Sequence, residues 1–171
     1  MKKPSFTGTH VLKGAFVANP LGKLIDMIAR QGDDLLADAG IIIPSRAVSC
    51  ILLVGDRQQV SAADIAAALE QPHQLATQRI EVLIKLGVLE RSVDPADRRR
   101  KTLSLTPKGE DQYHRLYRRL GEVEQAFAGL FKEIDNDLTV MVGRAMEALE
   151  RTPLLARIQA NIRNENSPTN T

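Results

Sequence analysis

The chain has 171 residues, of which 43% are hydrophobic and 26% charged, and this composition is typical of a globular domain and argues against disorder. No apolar run approaches the ~20 residues that cross a bilayer, and the polar start resembles no signal peptide, so we expect a cytoplasmic protein without a membrane partner. The formal net charge is only +2, and one cysteine with three scattered histidines excludes an internal disulfide and predicts no metal site and no cofactor.

The N-terminal part of the chain is expected to be an arm followed by two helices. Residues 1–19 show no sustained period, which predicts an extended arm. A first helix over about 20–39 is predicted by Pro20 near its start, Gly40 after its end, and apolar residues at helical spacing between them. A second helix is expected to begin at Pro44 and to end in a turn at Gly55 and Asp56.

Two further short helices and a hairpin follow. Ser61, with Asp64 three residues later, is typical of a helix cap and predicts a helix to about Leu69. Pro72 begins the next helix, which extends to Leu86 and stops at Gly87. Two strand-like runs, 88–93 and 100–105, are joined by the charged segment 94–99, and this pattern predicts a hairpin with a charged tip.

The C-terminal part is predicted to be helical. A long helix begins at Pro107, and its apolar residues repeat every seven positions over three heptads. Such a repeat indicates a seam against another helix, either within the chain or in a second copy. The residues predicted to form a dimer contact are Leu116, Leu120, Val123, Phe127 and Leu130. Another helix extends to about residue 152, and residues 153–171 are expected to form a helical extension and a disordered tail.

The order of these elements predicts a mainly α fold with a small β-hairpin wing, in which one winged helix-turn-helix domain occupies about 20–152. The winged helix-turn-helix itself covers about 44–106, and dimerisation helices are expected at about 20–39 and 107–152. The segment from His73 to Lys101 contains seven basic and four acidic residues, so positive charge is concentrated there. A basic segment with a helix pair and a wing favours binding to double-stranded DNA.

The segment from Ala66 to Gly109 resembles the MarR family of winged-helix regulators. The resemblance is carried by Leu83–Arg91, by the wing-tip sequence Asp94–Arg99 and by the strand-to-helix exit Leu103–Gly109. It extends more weakly over about 20–150. The resemblance implies a homodimer with interdigitating terminal helices, a repressor acting on a palindromic operator, and release by a small aromatic or phenolic ligand bound between the dimerisation and winged regions.

On the helix that would read DNA, Ala76, Ile80 and Leu83 are expected to face the core. This leaves Gln74, Thr77 and Gln78 pointing toward the bases, and Lys85 near a phosphate. Arg79 stands where the family usually has an apolar residue, and it is expected either to reach a phosphate or to pair with an acidic neighbour. In the wing, the expected DNA contacts are Arg98, Arg99, Arg100 and Lys101, and which arginine enters the minor groove stays open.

One further site and two alternative functions complete the predictions. The amphipathic side chains Tyr113 and Tyr117 are candidates for ligand contacts beside the dimerisation region. Cys50 allows a thiol-based redox sensor, but its apolar neighbours favour core packing. A winged helix used only for protein interaction remains the other alternative. No nucleophile lies at a spacing that indicates catalysis, so we expect no enzyme.

Overall fold

The computed structural model describes residues 5–93 and 101–165. It divides into two compact units, residues 1–121 and 122–171, whose boundary falls within one long helix. The described residues are mostly helical with a two-stranded antiparallel sheet, and this confirms the predicted fold class. None of the helices in these ranges is both long and apolar enough to span a membrane. The domain bounds at 20 and 152 stay a prediction.

The first unit contains the winged helix and the helices that precede and follow it. Short 3₁₀ turns stand at Lys13–Phe16 and Ser45–Ala47. In chain order the other elements are α1 (Phe6–Thr9), α2 (Ala18–Asp38), α3 (Val48–Arg57), α4 (Ala62–Ala68), α5 (His73–Lys85), β1 (Leu89–Val93), β2 (Lys101–Leu105) and α6 (Pro107–Glu133).

Local hydrogen bonds explain where the winged-helix elements begin and end. Ser61 Oγ accepts from the Asp64 amide at 3.2 Å, and Asp64 Oδ2 accepts from the Ser61 amide at 2.8 Å, so the predicted capping box is confirmed. Helix α5 follows Pro72 and is terminated before Gly87, whose φ of 69° is readily adopted by glycine.

Strands β1 and β2 pair in register, with Leu89 opposite Leu105 and Val93 opposite Lys101. The Leu103 amide donates to the Val60 carbonyl at 2.8 Å, which adds one bridge from the loop before α4. Leu89, Thr102 and Leu103 are buried, whereas Glu90 and Lys101 are exposed, so the hairpin packs against the core through these three residues.

The core of the first unit lies between α3, α4, α5 and the hairpin, with Leu36 added from α2 and Leu116 from α6. Each large side chain that is fully buried here contributes roughly 1.5–3 kcal/mol to folding. Among them are Ile51, Ile65, Ile80, Leu83 and Leu89.

Two sequence predictions are wrong in this unit. The N-terminal arm is not extended, because Ser5 Oγ accepts from the Gly8 amide at 3.2 Å and caps a helical turn. Nor does α3 end at Gly55 and Asp56, since it continues to Arg57. Gly55 serves packing rather than a turn, because the ring of Tyr113 occupies the space that a Cβ atom would need.

The second unit holds the end of α6 and the helices α7 (Leu138–Arg151) and α8 (Leu154–Glu165), which confirms the predicted helices. Asp137 caps α7, and its hydrogen bonds from the Thr139 side chain and from the amides of Thr139 and Val140 hold the pKa of this carboxyl below its ordinary value. Arg157 Nη2 donates to the Ala148 carbonyl at 2.6 Å and ties α8 to α7. Residues 166–171 of the predicted tail lie outside the described residues.

Candidate nucleic-acid interface

Helix α5 has one face in the core and the opposite face on an open groove. Ala76, Ile80 and Leu83 have no exposed surface, as the helical spacing predicts. On the other side the helix borders a groove of about 650 Å³. The lining residues are His73, Gln74, Thr77, Gln78, Glu81, Val82 and Lys85. The structure therefore brings together the four predicted residues Gln74, Thr77, Gln78 and Lys85 on one surface.

Sequence reasoning missed three residues of this surface, His73, Glu81 and Val82. A signal for two of them was present, because His73, Thr77, Glu81 and Lys85 follow one another at intervals of four residues. Side chains at that interval form one row along a helix. The row thus places an imidazole and a carboxylate beside the predicted DNA contacts.

The carboxylate in this row is paired with the wing. Arg91 on β1 donates to Glu81 Oε1, and both side chains are half-exposed. An exposed ion pair adds little to folding stability. The pair neutralises the Glu81 carboxylate and connects α5 to β1.

Arg79 does not lie in the groove. Arg79 lies on α5 beside the core-facing residues. Its Nη1 donates a hydrogen bond to Gln71 Oε1. The predicted acidic partner is therefore replaced by a side-chain amide. The reason is the geometry of the helix, since a residue three positions after Ala76 cannot share a face with Gln74 and Gln78.

The wing lies beside the row of polar residues on α5. A second concavity of about 300 Å³ is lined by residues of α4, α5 and both strands, among them His73, Thr77, Arg91 and Lys101. The structure thus places the exposed Lys101 at the junction of helix and wing. Arg98, Arg99 and Arg100 lie outside the described residues.

Three residues at the start of α6 hold the end of α5 and the beginning of β1. Thr106 Oγ1 donates to the Gly87 carbonyl at 2.7 Å and accepts from the Gly109 amide at 3.0 Å. Lys108 Nζ donates to the Leu86 carbonyl at 2.9 Å, which satisfies a helix C-terminus. Gly109 packs so closely against the Val88 carbonyl that no Cβ atom fits. We call Thr106, Lys108 and Gly109 the exit clasp.

The helices and the first strand of this arrangement agree with a family comparison. A model of the MarR family matches residues 43–100, which contain α3, α4, α5 and β1. Over these residues the chain is similar to the MarR family. No curated protein sequence matches the chain.

Solved structures share the fold of this chain. The S. aureus MepR–DNA complex matches with a TM-score of 0.63 at 20% identity, covering 78% of this chain and 99% of that chain. PcaV of Streptomyces coelicolor, a transcriptional regulator, has a TM-score of 0.56 at 19% identity, covering 75% and 96%. A MarR transcriptional regulator from Methanosarcina mazei Go1 has a TM-score of 0.53 at 20% identity, covering 76% and 99%. Likeness at these identities shows a common fold.

Cys50 lies in the core of the first unit and has no exposed surface. Burial raises the pKa of its thiol to about 11, although the nearby Arg79 charge acts in the opposite direction. Because the thiolate is the reactive form, a buried thiol with a raised pKa favours packing over oxidant sensing.

Tyr113 and Tyr117, the predicted ligand residues, are neighbours on α6 with ring centroids 6.1 Å apart. The Tyr113 hydroxyl already donates to Asp56 Oδ1 at 2.6 Å, and this hydrogen bond raises the pKa of the phenol. Tyr117 is 64% exposed. The polar group of Tyr113 is thus engaged within the lobe, whereas Tyr117 is accessible.

The residues predicted for the dimer contact differ in their burial. Leu116 is fully buried in the core of the first unit and packs there, so its role in a dimer contact stays a prediction. Leu120 is partly buried against the same core. In the second unit, Val123, Phe127 and Leu130 are half-exposed at heptad spacing. The heptad position at Leu116 therefore packs in the core, whereas Val123, Phe127 and Leu130 keep part of their surface exposed.

Proposed function

We propose that this protein is a cytoplasmic transcriptional repressor that binds a palindromic DNA operator as a homodimer. The observation that carries the proposal is the outward face of α5, where Gln74, Thr77 and Gln78 line an open groove beside a basic wing. A helix of this kind fits the major groove of DNA. The shared fold with the S. aureus MepR–DNA complex supports the proposal.

In this proposal Gln74 and Gln78 read base edges, because a side-chain amide can bond adenine through both its donor and its acceptor. Thr77 Oγ1 already donates to the His73 carbonyl at 2.9 Å. Its proton is therefore committed, and the Thr77 methyl group is suited to contact a thymine methyl. Lys85 neutralises a phosphate rather than reading a base.

The wing supplies affinity through charge. Lys101 stands at the junction of helix and wing, and we assign phosphate or minor-groove contacts to it together with Arg98, Arg99 and Arg100. Arg79 is left out of the contact set because its guanidinium is bonded to Gln71.

The test is selection of bound sequences from random DNA duplexes, followed by affinity measurements on the selected site at several salt concentrations. We expect a palindromic consensus with half-sites about one helical turn, roughly 10 base pairs, apart. Binding should weaken steeply as salt rises. A protein-interaction module would retain no duplex in a salt-dependent manner, and that result would reject the proposal.

The homodimer is proposed from apolar side chains that the chain leaves exposed. Leu21 and Ile25 on α2 are exposed although they lie at helical spacing, and α7 and α8 expose several more. Those of α7 and α8 are Val140, Met141, Val142, Met146, Leu149, Leu154, Leu155, Ile158 and Ile162. A monomer rarely leaves so many large apolar side chains exposed, whereas a second copy would cover them.

Release by a small aromatic or phenolic ligand is proposed at the exposed side of the Tyr113–Tyr117 pair. Aromatic acids should raise the melting temperature and weaken operator binding, and Tyr117→Ala should remove both effects. Tyr117→Phe serves as the control that keeps the ring. If no aromatic acid changes either quantity, the ligand proposal fails while the DNA-binding proposal stands.

A further inference from the structure

Glu81 lies on the face of α5 that the proposed function turns toward DNA. It follows Gln74 by seven residues and Gln78 by three, and Lys85 follows it by four. Residues at these intervals form one stripe along a helix, and all four line the same groove. The stripe thus contains two side chains assigned to bases and one assigned to a phosphate. Between them stands a carboxylate that the proposed contact set does not use.

The ion pair with Arg91 leaves one oxygen of this carboxylate for a ligand. Arg91 Nη2 donates to Glu81 Oε1, and within the described ranges of the chain no donor is bonded to Oε2. The Glu81 side chain keeps 42% of its surface exposed, so the pair does not remove it from the groove. A carboxylate near phosphates is repelled unless a cation accompanies it, and Arg91 is such a cation. Glu81 can therefore lie against DNA with its charge compensated.

The four bases differ in how well they suit a carboxylate oxygen, which accepts hydrogen bonds and donates none. In the major groove, guanine presents the acceptors N7 and O6, and thymine presents the acceptor O4, so both repel it. Adenine presents its N6 amino donor beside the acceptor N7, a pattern that suits a side-chain amide. Cytosine presents the N4 amino donor and no acceptor. Cytosine is therefore the base that fits a carboxylate best.

We propose that Glu81 is a specificity-determining residue whose Oε2 accepts a hydrogen bond from cytosine N4, while Arg91 holds Oε1 and positions the carboxylate. The inference rests on the proposed DNA-binding function and adds one base pair to each half-site. Glu81 lies about 4.5 Å beyond Gln78 along the helix axis, which exceeds the spacing of roughly 3.4 Å between stacked bases. The base pair that Glu81 reads is therefore a different one from that read by Gln78.

The experiment selects bound sequences from random DNA duplexes with four full-length proteins: the unmodified chain, Glu81→Ala, Glu81→Gln and the control Glu90→Gln. Glu90 is an exposed carboxylate on β1 that lines neither the groove along α5 nor the concavity beside the wing. The affinity of each protein for its selected site and for a random-sequence duplex is then measured at several salt concentrations. Circular dichroism verifies that every protein is folded.

The unmodified chain and Glu90→Gln should select cytosine at one position of each half-site. Guanine at that position in one half-site should weaken their binding about tenfold, as one mismatched base pair typically does. Glu81→Gln should prefer adenine there, because the amide offers adenine both a donor and an acceptor. Glu81→Ala should show no preference there. It should bind the random duplex at least as tightly as the unmodified chain, because it lacks a negative charge and frees Arg91 for phosphate.

A carboxylate that only fastens α5 to β1 gives a different result. In that case all four proteins select the same bases, and the two Glu81 variants bind every duplex more weakly. Identical consensus sequences, or a changed position that is not cytosine in the unmodified chain, overturn the inference while leaving the proposed function intact. Absence of salt-dependent binding by the unmodified chain overturns both.

Discussion

At the scale of a single residue, burial determines the chemistry of Cys50. The thiol has no exposed surface, and its pKa in the folded protein is raised to about 11 from an ordinary value of 9.0. The unfolded chain therefore loses the thiol proton at lower pH than the folded protein does. The stabilising effect of the neutral buried thiol is complete below the unfolded pKa and is lost as pH rises through the folded one.

The loss of stability with rising pH should therefore differ measurably between the unmodified chain and Cys50→Ala. From about pH 8 to about pH 11, the free energy of unfolding of the unmodified chain should fall by about 1–3 kcal/mol more than that of the variant. Other titrating groups are common to both proteins and cancel. Urea unfolding at each pH provides the values, and parallel curves would show that the thiol is not buried as described.

A second prediction at this scale separates base reading from phosphate binding. Gln78→Ala should relax sequence preference by about 1–3 kcal/mol at one position and leave nonspecific binding nearly unchanged. Arg99→Ala should weaken binding to all sequences and reduce the salt slope by about one per lost phosphate contact in each copy. Arg118→Ala removes an exposed arginine from α6 and is the matched control. Loss of nonspecific binding in Gln78→Ala, with an unchanged slope in Arg99→Ala, would contradict these assignments.

At the scale of secondary-structure elements, the exit clasp positions the wing relative to α5. Thr106 and Lys108 bond the carbonyls that end α5, and Gly109 allows α6 to approach the Val88 carbonyl directly. Since Val88 immediately precedes β1, any shift of α6 at this point moves the start of the wing.

Gly109→Ala should therefore destabilise the fold, whereas alanine normally stabilises a helix. We expect a loss of about 2–4 kcal/mol, because the new Cβ atom meets backbone that cannot move aside cheaply. Gly121→Ala lies on the same helix in open space and should be neutral or stabilising by up to about 1 kcal/mol. Thermal unfolding measures the stability of both variants. Equal stability of the two would show that the close approach of Gly109 to Val88 is absent.

At the scale of the whole molecule, the proposed dimer depends on the later heptad positions of α6. Phe127→Asp should yield a species that is monomeric or unfolded and has no operator affinity, because a carboxylate cannot be buried unpaired in a helix seam. Gln125→Asp adds the same charge at an exposed position of the helix and should leave the dimer intact. Light scattering with circular dichroism makes the comparison. A stable, folded monomer of the unmodified chain at micromolar concentration would contradict the proposal.

The sequence alone was sufficient wherever the cause lies within a few residues. The capping box at Ser61, the stop at Gly87 and the inward spacing of Ala76, Ile80 and Leu83 all follow from helix geometry and local hydrogen bonds. The hairpin and the MarR resemblance were predictable for the same reason, since their motifs are contiguous in the chain.

The tertiary structure decided the matters that depend on residues far apart in sequence. Gly55 is read from sequence as a turn, yet the ring of Tyr113 explains it, and Leu116 is part of a heptad but is buried in the lobe core. The pairing of Glu81 with Arg91 and the place of His73 beside Lys101 likewise require the wing to fold back onto α5. A period along one helix shows which residues share a face, but only packing determines what that face meets.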